Sequence, residues 1–231
     1  MRCSILIPVY NEESTIEEVI EKIYQLNNNI DKQVIVIDDG SVDRTYEILN
    51  YLSKKYNFTF LRHTENKGKG AAIQTGLKYI QGDIVIFQDA DLEINLIDYS
   101  KIIQIIEDNN VDIVLTYRIR SLKDSPSLIL KIYYLGSRCL TLLANILFNA
   151  KIKDINSGCK AFRTGVLKKL NLESNGFNID EEIIAKMLKG NYVFYEIPIA
   201  YYPRSLDQGK KIRLVDGPYG FLTLLKYKFR R

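Results

Sequence analysis

Through its first half, the chain alternates short apolar runs rich in isoleucine and valine with segments whose apolar residues recur at helical spacing. The nearly unbroken apolar character of these runs is typical of strands that are covered on both faces. Repeated strand–helix–strand units favour right-handed crossovers and a mainly parallel α/β sheet flanked by helices. The predicted strands are Cys3–Pro8, Val34–Asp38, Phe58–His63, Ile84–Asp89 and Ile113–Thr116.

Helix signals lie between and after these strands. Ser14–Glu17 has the sequence of a capping box, and Asp43 is placed to cap a second helix. Further helices are predicted over Gly68–Ile80, Leu96–Glu107 and Asp180–Lys189, with a strand over Tyr192–Ile197. Apolar residues recur at helical spacing from about residue 125 to residue 148, and the basic C-terminus completes an amphipathic helical extension. No linker composition separates the parts, so residues 1–231 are expected to form one domain.

Composition excludes several classes of protein. The 231 residues carry 32 Lys and Arg against 28 Asp and Glu, a net charge of +4, which is too weak to favour a nucleic-acid partner. The single histidine, His63, excludes metal sites that need two imidazoles and is given no functional role. Three scattered cysteines with no Cys-x-x-Cys pair make a disulfide framework or a zinc ribbon improbable. No signal-peptide layout or membrane-spanning stretch is recognised, so the expectation is a cytoplasmic protein, soluble or peripheral to a membrane.

Polar and glycine-bearing segments follow four of the predicted strands. They are residues 8–13, 38–41, 66–70 and 89–93. Ligands of parallel α/β sheets bind beyond the carboxyl ends of the strands. We therefore expect these four segments to form one functional edge.

The Asp89-Ala90-Asp91 sequence is the strongest of these signals. Two carboxylates directly after a buried strand offer oxygen ligands to Mg²⁺ or Mn²⁺, and a diphosphate would supply further oxygens. Glu93 would add a third acid. The alternative is an ordinary strand-ending turn, which the position at the expected functional edge disfavours.

The segment Asp38-Asp39-Gly40-Ser41 has two interpretations. A carboxylate accepts hydrogen bonds only, which suits a nucleobase N–H or ribose hydroxyls and does not suit a phosphate. The alternative is a turn whose Ser41 or Asp43 caps the next helix.

The glycine-rich segment 66–70 matches neither standard phosphate-binding fingerprint, which removes the main support for a kinase, an ATPase or a dinucleotide-dependent dehydrogenase. A contact to an anion or nucleotide and a flexible basic turn both remain open. The cations of residues 201–213 would clamp phosphates beside an acidic metal site, or form a solvated surface. The apolar helix around residues 128–148 and the basic end 221–231 would suit contact with an anionic membrane, or the helix would be buried against the sheet.

Seven motifs in this order and spacing resemble those of the family 2 glycosyltransferases, in particular the branch of dolichol-phosphate mannose synthases and polyprenyl-phosphate glycosyltransferases. The resemblance extends over nearly the whole chain. Its motifs are Pro8–Glu13, Asp38–Asp43, Asn66–Gly70, Asp89–Asp91, Asn156–Gly158, Asp180–Glu182 and Tyr202–Arg204.

The resemblance implies a GT-A (Rossmann-like) fold, a nucleotide-diphosphate sugar donor such as GDP-mannose or UDP-glucose, and inversion at the anomeric carbon. It implies a nucleotide-sugar-binding half over about 1–120 and an acceptor-binding half over about 121–231. The expected metal ligands for Mg²⁺ or Mn²⁺ are Asp89, Asp91 and Glu93, the last standing where mannose synthases commonly have glutamine. The expected nucleotide-sugar-binding residues are Pro8, Tyr10, Glu12, Asp38, Asp39, Lys69, Asp89, Ala90, Arg204 and Lys211.

The resemblance also implies the residues that act on the acceptor. Arg118 and Arg138 are expected to bind an acceptor phosphate, and the expected catalytic residues are Asp91, Arg118, Asp180 and Glu182. A polyprenyl-phosphate acceptor is already anionic and needs little help from a base, whereas a saccharide hydroxyl would need Asp180 or Glu182 as its base. Contact with the cytoplasmic face of a membrane, directly or through a membrane-anchored partner, is expected for the lipid acceptor. A nucleotide-sugar-binding module without catalysis is the third alternative.

Overall fold

The structure is a computed structural model that describes residues 1–26, 30–94, 99–108, 110–119, 127–204 and 209–230. The described strands form a single seven-stranded sheet. They are β1 (Cys3–Val9), β2 (Lys32–Asp38), β3 (Thr59–Arg62), β4 (Ile84–Phe87), β5 (Ile113–Ile119), β6 (Lys160–Arg163) and β7 (Phe194–Ala200).

The strands lie in the order β3-β2-β1-β4-β6-β5-β7. Strands β1 to β4 pair in parallel, as do β5 and β7, whereas β6 is antiparallel to both of its neighbours. The predicted mainly parallel α/β sheet is therefore confirmed. Strand β6 was not predicted, because its Lys160 and Arg163 interrupt the apolar pattern that marks a central strand.

Helices cover both faces of the sheet. The described helices are α1 (Ile16–Leu26), α2 (Thr45–Lys55), α3 (Lys69–Leu77), α4 (Tyr99–Asp108), α5 (Leu128–Phe148), α6 (Thr164–Leu170), α7 (Ile179–Lys189) and α8 (Asp216–Phe229).

Most predicted helix boundaries agree with the structure to within a few residues. Asp43, predicted to cap α2, accepts a hydrogen bond at 3.0 Å from the N–H of Thr45, but the N-cap position is occupied by Arg44, whose side chain makes no capping bond. Helix α3 begins after Gly68, whose φ of 99° is in the region that favours glycine. The predicted start of α4 at Leu96 lies outside the described residues.

Side chains of the central strands alternate between two apolar cores, one on each face of the sheet. Ile5 and Ile7 of β1 face the core that contains α1 and α4, whereas Leu6 faces the core that contains α7. Each fully buried Ile or Leu contributes roughly 1.5–3 kcal/mol relative to exposure. The double coverage explains why these strands are apolar at consecutive positions.

Helix α5 packs against α7 and α8 and also presents apolar side chains to solvent. Leu128, Leu142 and Ile146 are exposed on its surface. None of the helices in the described ranges is both long and apolar enough to cross a bilayer. One face of α5 is therefore buried, and contact of its exposed apolar face with a membrane stays a prediction.

Candidate functional site

The loops that follow β1, β2 and β4 meet at one edge of the sheet, as the sequence predicts. The backbone N–H of Asn11 donates to Ser41 Oγ at 2.9 Å, and Thr15 Oγ1 donates to the carbonyl of Ala90 at 2.8 Å. The fourth predicted segment joins them, because the Gly68 N–H donates to Asp39 Oδ2 at 2.7 Å. Ala90 is buried and takes part through its backbone.

Asp89 and Asp91 stand at the end of β4, each beside a cation. Lys69 Nζ lies 2.9 Å from Asp89 Oδ1, and Arg204 Nη2 lies 3.4 Å from Asp91 Oδ2. Burial, followed by the charges of Asp89 and Glu93, raises the pKa of Asp91 to about 7. The two carboxylates therefore concentrate negative charge where a cation would relieve it.

Glu93, an expected metal ligand, is contacted by three hydrogen-bond donors of the C-terminal segment. Its carboxylate accepts hydrogen bonds from Lys210 Nζ at 2.7 Å, from the Tyr201 hydroxyl at 2.9 Å and from the backbone N–H of Arg204 at 3.0 Å. Although burial raises the pKa of Glu93, the charge and hydrogen bond of Lys210 bring it below the ordinary value. Within the described ranges no three His, Cys, Asp or Glu side chains are grouped to hold a metal ion. The assignment of Asp89, Asp91 and Glu93 as metal ligands stays a prediction.

A line of alternating charges runs from the interior to Asp89. Lys160, on β6, is buried and its Nζ donates to Asp180 Oδ1 and to the carbonyl of Ser157. Asp180 Oδ2 lies 3.4 Å from Lys69 Nζ. Burial raises the pKa of Asp180, but the charges of Lys160 and Lys69 outweigh that effect and lower it. Lys69 thus lies beside the acidic pair.

Glu182, the other expected base, lies outside this cluster. Its two oxygens accept hydrogen bonds from the backbone N–H groups of Glu173 and Ser174 at 2.9 and 2.7 Å, and Lys186 Nζ lies 2.6 Å away. The side chain fixes the loop before α7. Its predicted catalytic role has no support in this geometry, because helical periodicity turns Glu182 to a different face from Asp180.

Arg118 is the centre of a polar network between β5 and α5. Its guanidinium donates to both oxygens of Asp154, at 2.6 and 2.8 Å, and to Ser137 Oγ at 3.2 Å. The ring of Tyr201, whose hydroxyl donates to Glu93, lies 5.1 Å from the guanidinium carbon. Arg138 is exposed on α5.

Glu12 connects the end of β1 to the C-terminal segment. Arg204 Nη1 and Nη2 donate to its two oxygens at 2.8 and 3.0 Å, and Lys211 Nζ lies 3.7 Å from it. Lys211 also donates to the carbonyl of Asn11 at 2.6 Å. Arg204 Nε is buried without a hydrogen bond and lies 3.8 Å from Glu93 Oε1, so this donor could still bind an anionic ligand.

The neighbouring acids Asp38 and Asp39 have different surroundings. Asp39 accepts hydrogen bonds from His63 Nδ1 at 2.6 Å and from the backbone N–H groups of Lys67 and Gly68 at 3.0 and 2.7 Å. It therefore organises the glycine-rich loop, and His63 has a structural role. Asp38 is fully buried, and its Oδ2 has no hydrogen-bond partner. Pro8 and Tyr10 lie half-buried at the same edge.

Sequence reasoning missed several residues of this edge. Lys160 could have been found, because a lysine in an otherwise apolar central strand must have a buried partner. Arg62 and Tyr201 gave no signal, since cations and tyrosines in such segments are usually solvated, and Lys210 was expected only as one of the cations of residues 201–213. Glu181 is buried and accepts a hydrogen bond from Asn156 Nδ2 at 2.6 Å, which no spacing indicates.

The sheet order, the covering helices and the acidic edge define a protein of the GT-A fold class, as expected. The same fold occurs in the glucosyl-3-phosphoglycerate synthase of M. tuberculosis, with a TM-score of 0.71 at 21% identity, over 98% of this chain and 80% of that one. The model of the family described as glycosyl transferase family 2 matches residues 4–170. The chain belongs to glycosyl transferase family 2.

Two archaeal relatives are similar along most of this chain. The dolichol-phosphate mannosyltransferase of Pyrococcus furiosus is 32% identical over 91% of this chain, which spans 59% of that protein's length. The UDP-N-acetylglucosamine–dolichyl-phosphate N-acetylglucosaminyltransferase of Methanococcus voltae is 32% identical over 96% of this chain and 95% of its own length. A dolichyl-phosphate β-glucosyltransferase of Trichomonas vaginalis is also 32% identical, over 72% of this chain and 55% of its own length.

Proposed function

We propose that this protein transfers a hexose from a nucleotide-diphosphate sugar to a polyprenyl or dolichyl phosphate, with inversion at the anomeric carbon. The observation that carries the proposal is the pair of carboxylates at the end of β4, in which Asp89 lies beside Lys69 and Asp91 lies beside Arg204. The names of the archaeal relatives, which state transfer of mannose or N-acetylglucosamine to dolichyl phosphate, support the acceptor class.

Asp89 and Asp91 would hold a divalent cation. Carboxylate oxygens are the ligands that Mg²⁺ and Mn²⁺ prefer, and the diphosphate of the donor would complete the ligand set. The cation fits this pair because burial and the charges of Asp89 and Glu93 disfavour the ionised form of Asp91. The bound cation would offset the negative charge that develops on the departing nucleoside diphosphate.

Cationic side chains of the C-terminal segment would also offset the negative charge that develops on the departing nucleoside diphosphate. Arg204 and Lys211 lie beside Glu12 at the acidic edge, where they would bind the diphosphate and stabilise it as it leaves. Asp38 would receive the nucleobase through Oδ2, which makes no hydrogen bond and lies 3.2 Å from Arg62 Nε. Arg118 and Arg138 would bind the acceptor phosphate, which attacks from the face opposite the leaving group.

A lipid-phosphate acceptor is favoured over a saccharide hydroxyl. A hydroxyl acceptor needs a general base, and the two candidates, Asp180 and Glu182, are both held by lysines that help to lower their pKa values. A carboxylate whose pKa is lowered is a weak base. An anionic phosphate acceptor requires no such group.

The exposed apolar residues of α5 support a peripheral location at the cytoplasmic face of a membrane, where a lipid phosphate would be reached. The two charged residues of α5 are Lys131 and Arg138, which suits an anionic surface.

The test is a direct transfer assay with purified protein, Mg²⁺ or Mn²⁺, a panel of nucleotide sugars and a polyprenyl phosphate, read by mass spectrometry of the products. We expect one glycosyl polyprenyl phosphate with inverted configuration, and its loss in Asp91→Asn. Full turnover in Asp91→Asn would contradict the role of the acidic pair. Donor binding without hydrolysis or transfer would favour a non-catalytic sugar-nucleotide-binding module.

A further inference from the structure

Glu181 is a buried carboxylate that the proposed reaction does not use. It lies in the first turn of α7, is 3% exposed and accepts a hydrogen bond from Asn156 Nδ2 at 2.6 Å. Helix α8 closes over its other side at Gly220, where a Cβ atom would lie 2.9 Å from Glu181 Oε1. Because burying a carboxylate costs free energy, its place between a loop and a closely packed helix needs an explanation.

Asn156 connects Glu181 to the guanidinium of Arg118 through two further hydrogen bonds. Its Oδ1 accepts from Ser137 Oγ at 3.1 Å, and Ser137 Oγ accepts from Arg118 Nη2 at 3.2 Å. These contacts cross four parts of the fold, namely α7, the loop before β6, helix α5 and strand β5. Three consecutive hydrogen bonds therefore join a buried acid to the arginine expected to bind an acceptor phosphate.

The donors of this hydrogen-bonded chain all point from Arg118 towards Glu181. A guanidinium donates only and a carboxylate accepts only, whereas an amide and a hydroxyl can each donate or accept. The ionised Glu181 fixes the Asn156 amide with its NH₂ group towards α7 and its oxygen towards Ser137. The Ser137 hydroxyl then directs its proton to Asn156 and leaves its oxygen lone pairs to Arg118.

Removing the carboxylate would release this order. Without its acceptor, the Asn156 amide can reverse and present its NH₂ group to Ser137. The Ser137 proton then has no acceptor at Asn156 and competes with the N–H of Arg118. Because two donors that face each other are unfavourable, Arg118 would lose one of the groups that hold its plane.

The guanidinium of Arg118 has a second anchor in Asp154. Nε and Nη2 donate to the two Asp154 oxygens at 2.6 and 2.8 Å, and Nη2 also donates to Ser137. Among the described residues, the hydrogen bonds of this guanidinium come from Nε and Nη2, so Nη1 is the end that would meet a phosphate. A cation held in one orientation loses less conformational freedom on binding than a mobile one.

We propose that Glu181 is a positioning residue for the acceptor phosphate. It orients Asn156 and, through that amide, the Ser137 hydroxyl that holds Arg118 Nη2. This inference rests on the proposed function, in which Arg118 binds the acceptor phosphate. The alternative is a structural role confined to the interface between α7 and α8.

Transfer kinetics test the inference at pH 8, where the Glu181 carboxyl, with a pKa of about 7, is mostly ionised. Glu181→Met removes the hydrogen-bond acceptor and keeps a side chain of similar length. With the nucleotide-sugar donor saturating, we expect the KM for polyprenyl phosphate to rise about fivefold, as for the loss of one hydrogen bond. The KM for the donor should stay unchanged, whereas a role in stability alone would leave both KM values unchanged.

Gly220→Ala is the second variant, and it changes none of the four residues of the hydrogen-bonded chain. Its Cβ atom would displace the Glu181 carboxylate from the side of α8, so the KM for polyprenyl phosphate should rise here too. Gly217→Ala is the matched control on the same helix, because a Cβ atom there would meet nothing within 4 Å. Both of its KM values should equal those of the wild type.

Nuclear magnetic resonance of ¹⁵N-labelled protein without donor or acceptor reports on Arg118 directly. The guanidinium N–H resonances of Arg118 are assigned by their loss in Arg118→Lys. We expect them to shift or broaden in Glu181→Met and Gly220→Ala and to stay in place in Gly217→Ala. This measurement requires no reaction, so it tests the positioning of Arg118 separately from transfer.

Unchanged Arg118 resonances, an unchanged KM for polyprenyl phosphate, or equal rises in both KM values would each overturn the inference. If Glu181→Met does not fold, Gly220→Ala decides. Absence of sugar transfer by the wild type would contradict the proposed function alone, because the resonances still decide whether Glu181 positions Arg118.

Discussion

At the scale of single residues, Gly158 determines how closely the chain approaches Asp89. A Cβ atom at this position would lie 1.7 Å from Asp89 Oδ2, so any larger residue must displace the carboxylate. We expect Gly158→Ala to weaken Mn²⁺ binding in the presence of UDP at least tenfold, because an expected ligand moves. Electron paramagnetic resonance of free Mn²⁺ measures this loss.

The control is Gly165→Ala on α6, where a Cβ atom would meet nothing within 4 Å. It should bind Mn²⁺ as the wild type does. Unchanged Mn²⁺ affinity in Gly158→Ala would show that Asp89 is not a ligand.

Lys160 is the residue whose removal should cost most stability at the site. Lys160→Met takes away a buried partner of Asp180 and leaves that carboxylate with Lys69 alone. Breaking a buried ion pair in this way lowers the free energy of unfolding by about 3 kcal/mol. Urea denaturation measures it, and adding Asp180→Asn to Lys160→Met should recover part of the loss. If the loss of unfolding free energy in the double variant equals the sum of the losses in the two single variants, Lys160 and Asp180 are not coupled.

At the scale of elements, the first turn of α7 buries three consecutive acids that are distributed to different partners. Glu181 faces Asn156 and α8, where a Cβ atom on Gly220 would lie 2.9 Å from its carboxyl carbon. Burial, followed by the charge of Asp180, raises the pKa of Glu181 from 4.5 to about 7. At pH 5 to 6 the Glu181 carboxyl between α7 and α8 is therefore protonated, whereas a solvent-exposed glutamate would be ionised.

The raised pKa of Glu181 predicts the pH dependence of stability. Between pH 4.5 and about 7 the folded protein binds more protons at Glu181 than the unfolded chain does, so its contribution falls as pH rises. The loss amounts to about 3 kcal/mol across that window and is complete above it. Glu181→Gln removes this dependence. In urea denaturation it should be more stable relative to the wild type at pH 8 than at pH 5, and a constant difference would contradict the shift.

Most elements could be predicted from sequence, whereas side-chain roles at the acidic edge could not. The apolar runs of β1, β2 and β4 had to be central strands, because only a sheet covered on both faces buries consecutive apolar residues. Motif position placed Asp38, Asp89 and Asp91 correctly at the edge. Sequence does not show why Asp38 differs from Asp39, or Asp180 from Glu182. The difference depends on which backbone N–H groups and lysines lie near each carboxylate. These contacts join residues far apart in sequence, so they leave no local pattern.

At the scale of the whole molecule, donor and metal should stabilise the fold together. A ligand that binds only the folded state raises the free energy of unfolding by about 2.7 kcal/mol at one hundred times its Kd. We expect UDP with Mn²⁺ to give this increase and a chelator to remove most of it, because Asp89 and Asp91 would bind the diphosphate through the ion. Thermal unfolding at fixed protein concentration measures the effect.

Asp91→Asn is the informative variant for this linkage. It should keep the small stabilisation that UDP alone provides and lose the part that requires Mn²⁺. Equal stabilisation by Mn²⁺ in Asp91→Asn and in the wild type would place the ion elsewhere.

The position of β6 determines when the two parts of the sheet can pair as the chain is synthesised. Strand β6 lies between β4 and β5 and is antiparallel to both, although it comes after α5 in the chain. During synthesis, β4 and β5 cannot be joined through β6 until residue 163 has left the ribosome. Contacts this distant in sequence slow folding, and open strand edges invite pairing with other chains. We expect nascent chains that end before β6 to depend on chaperones, whereas those that extend past α6 already hold Lys160 and the strand that joins β4 to β5.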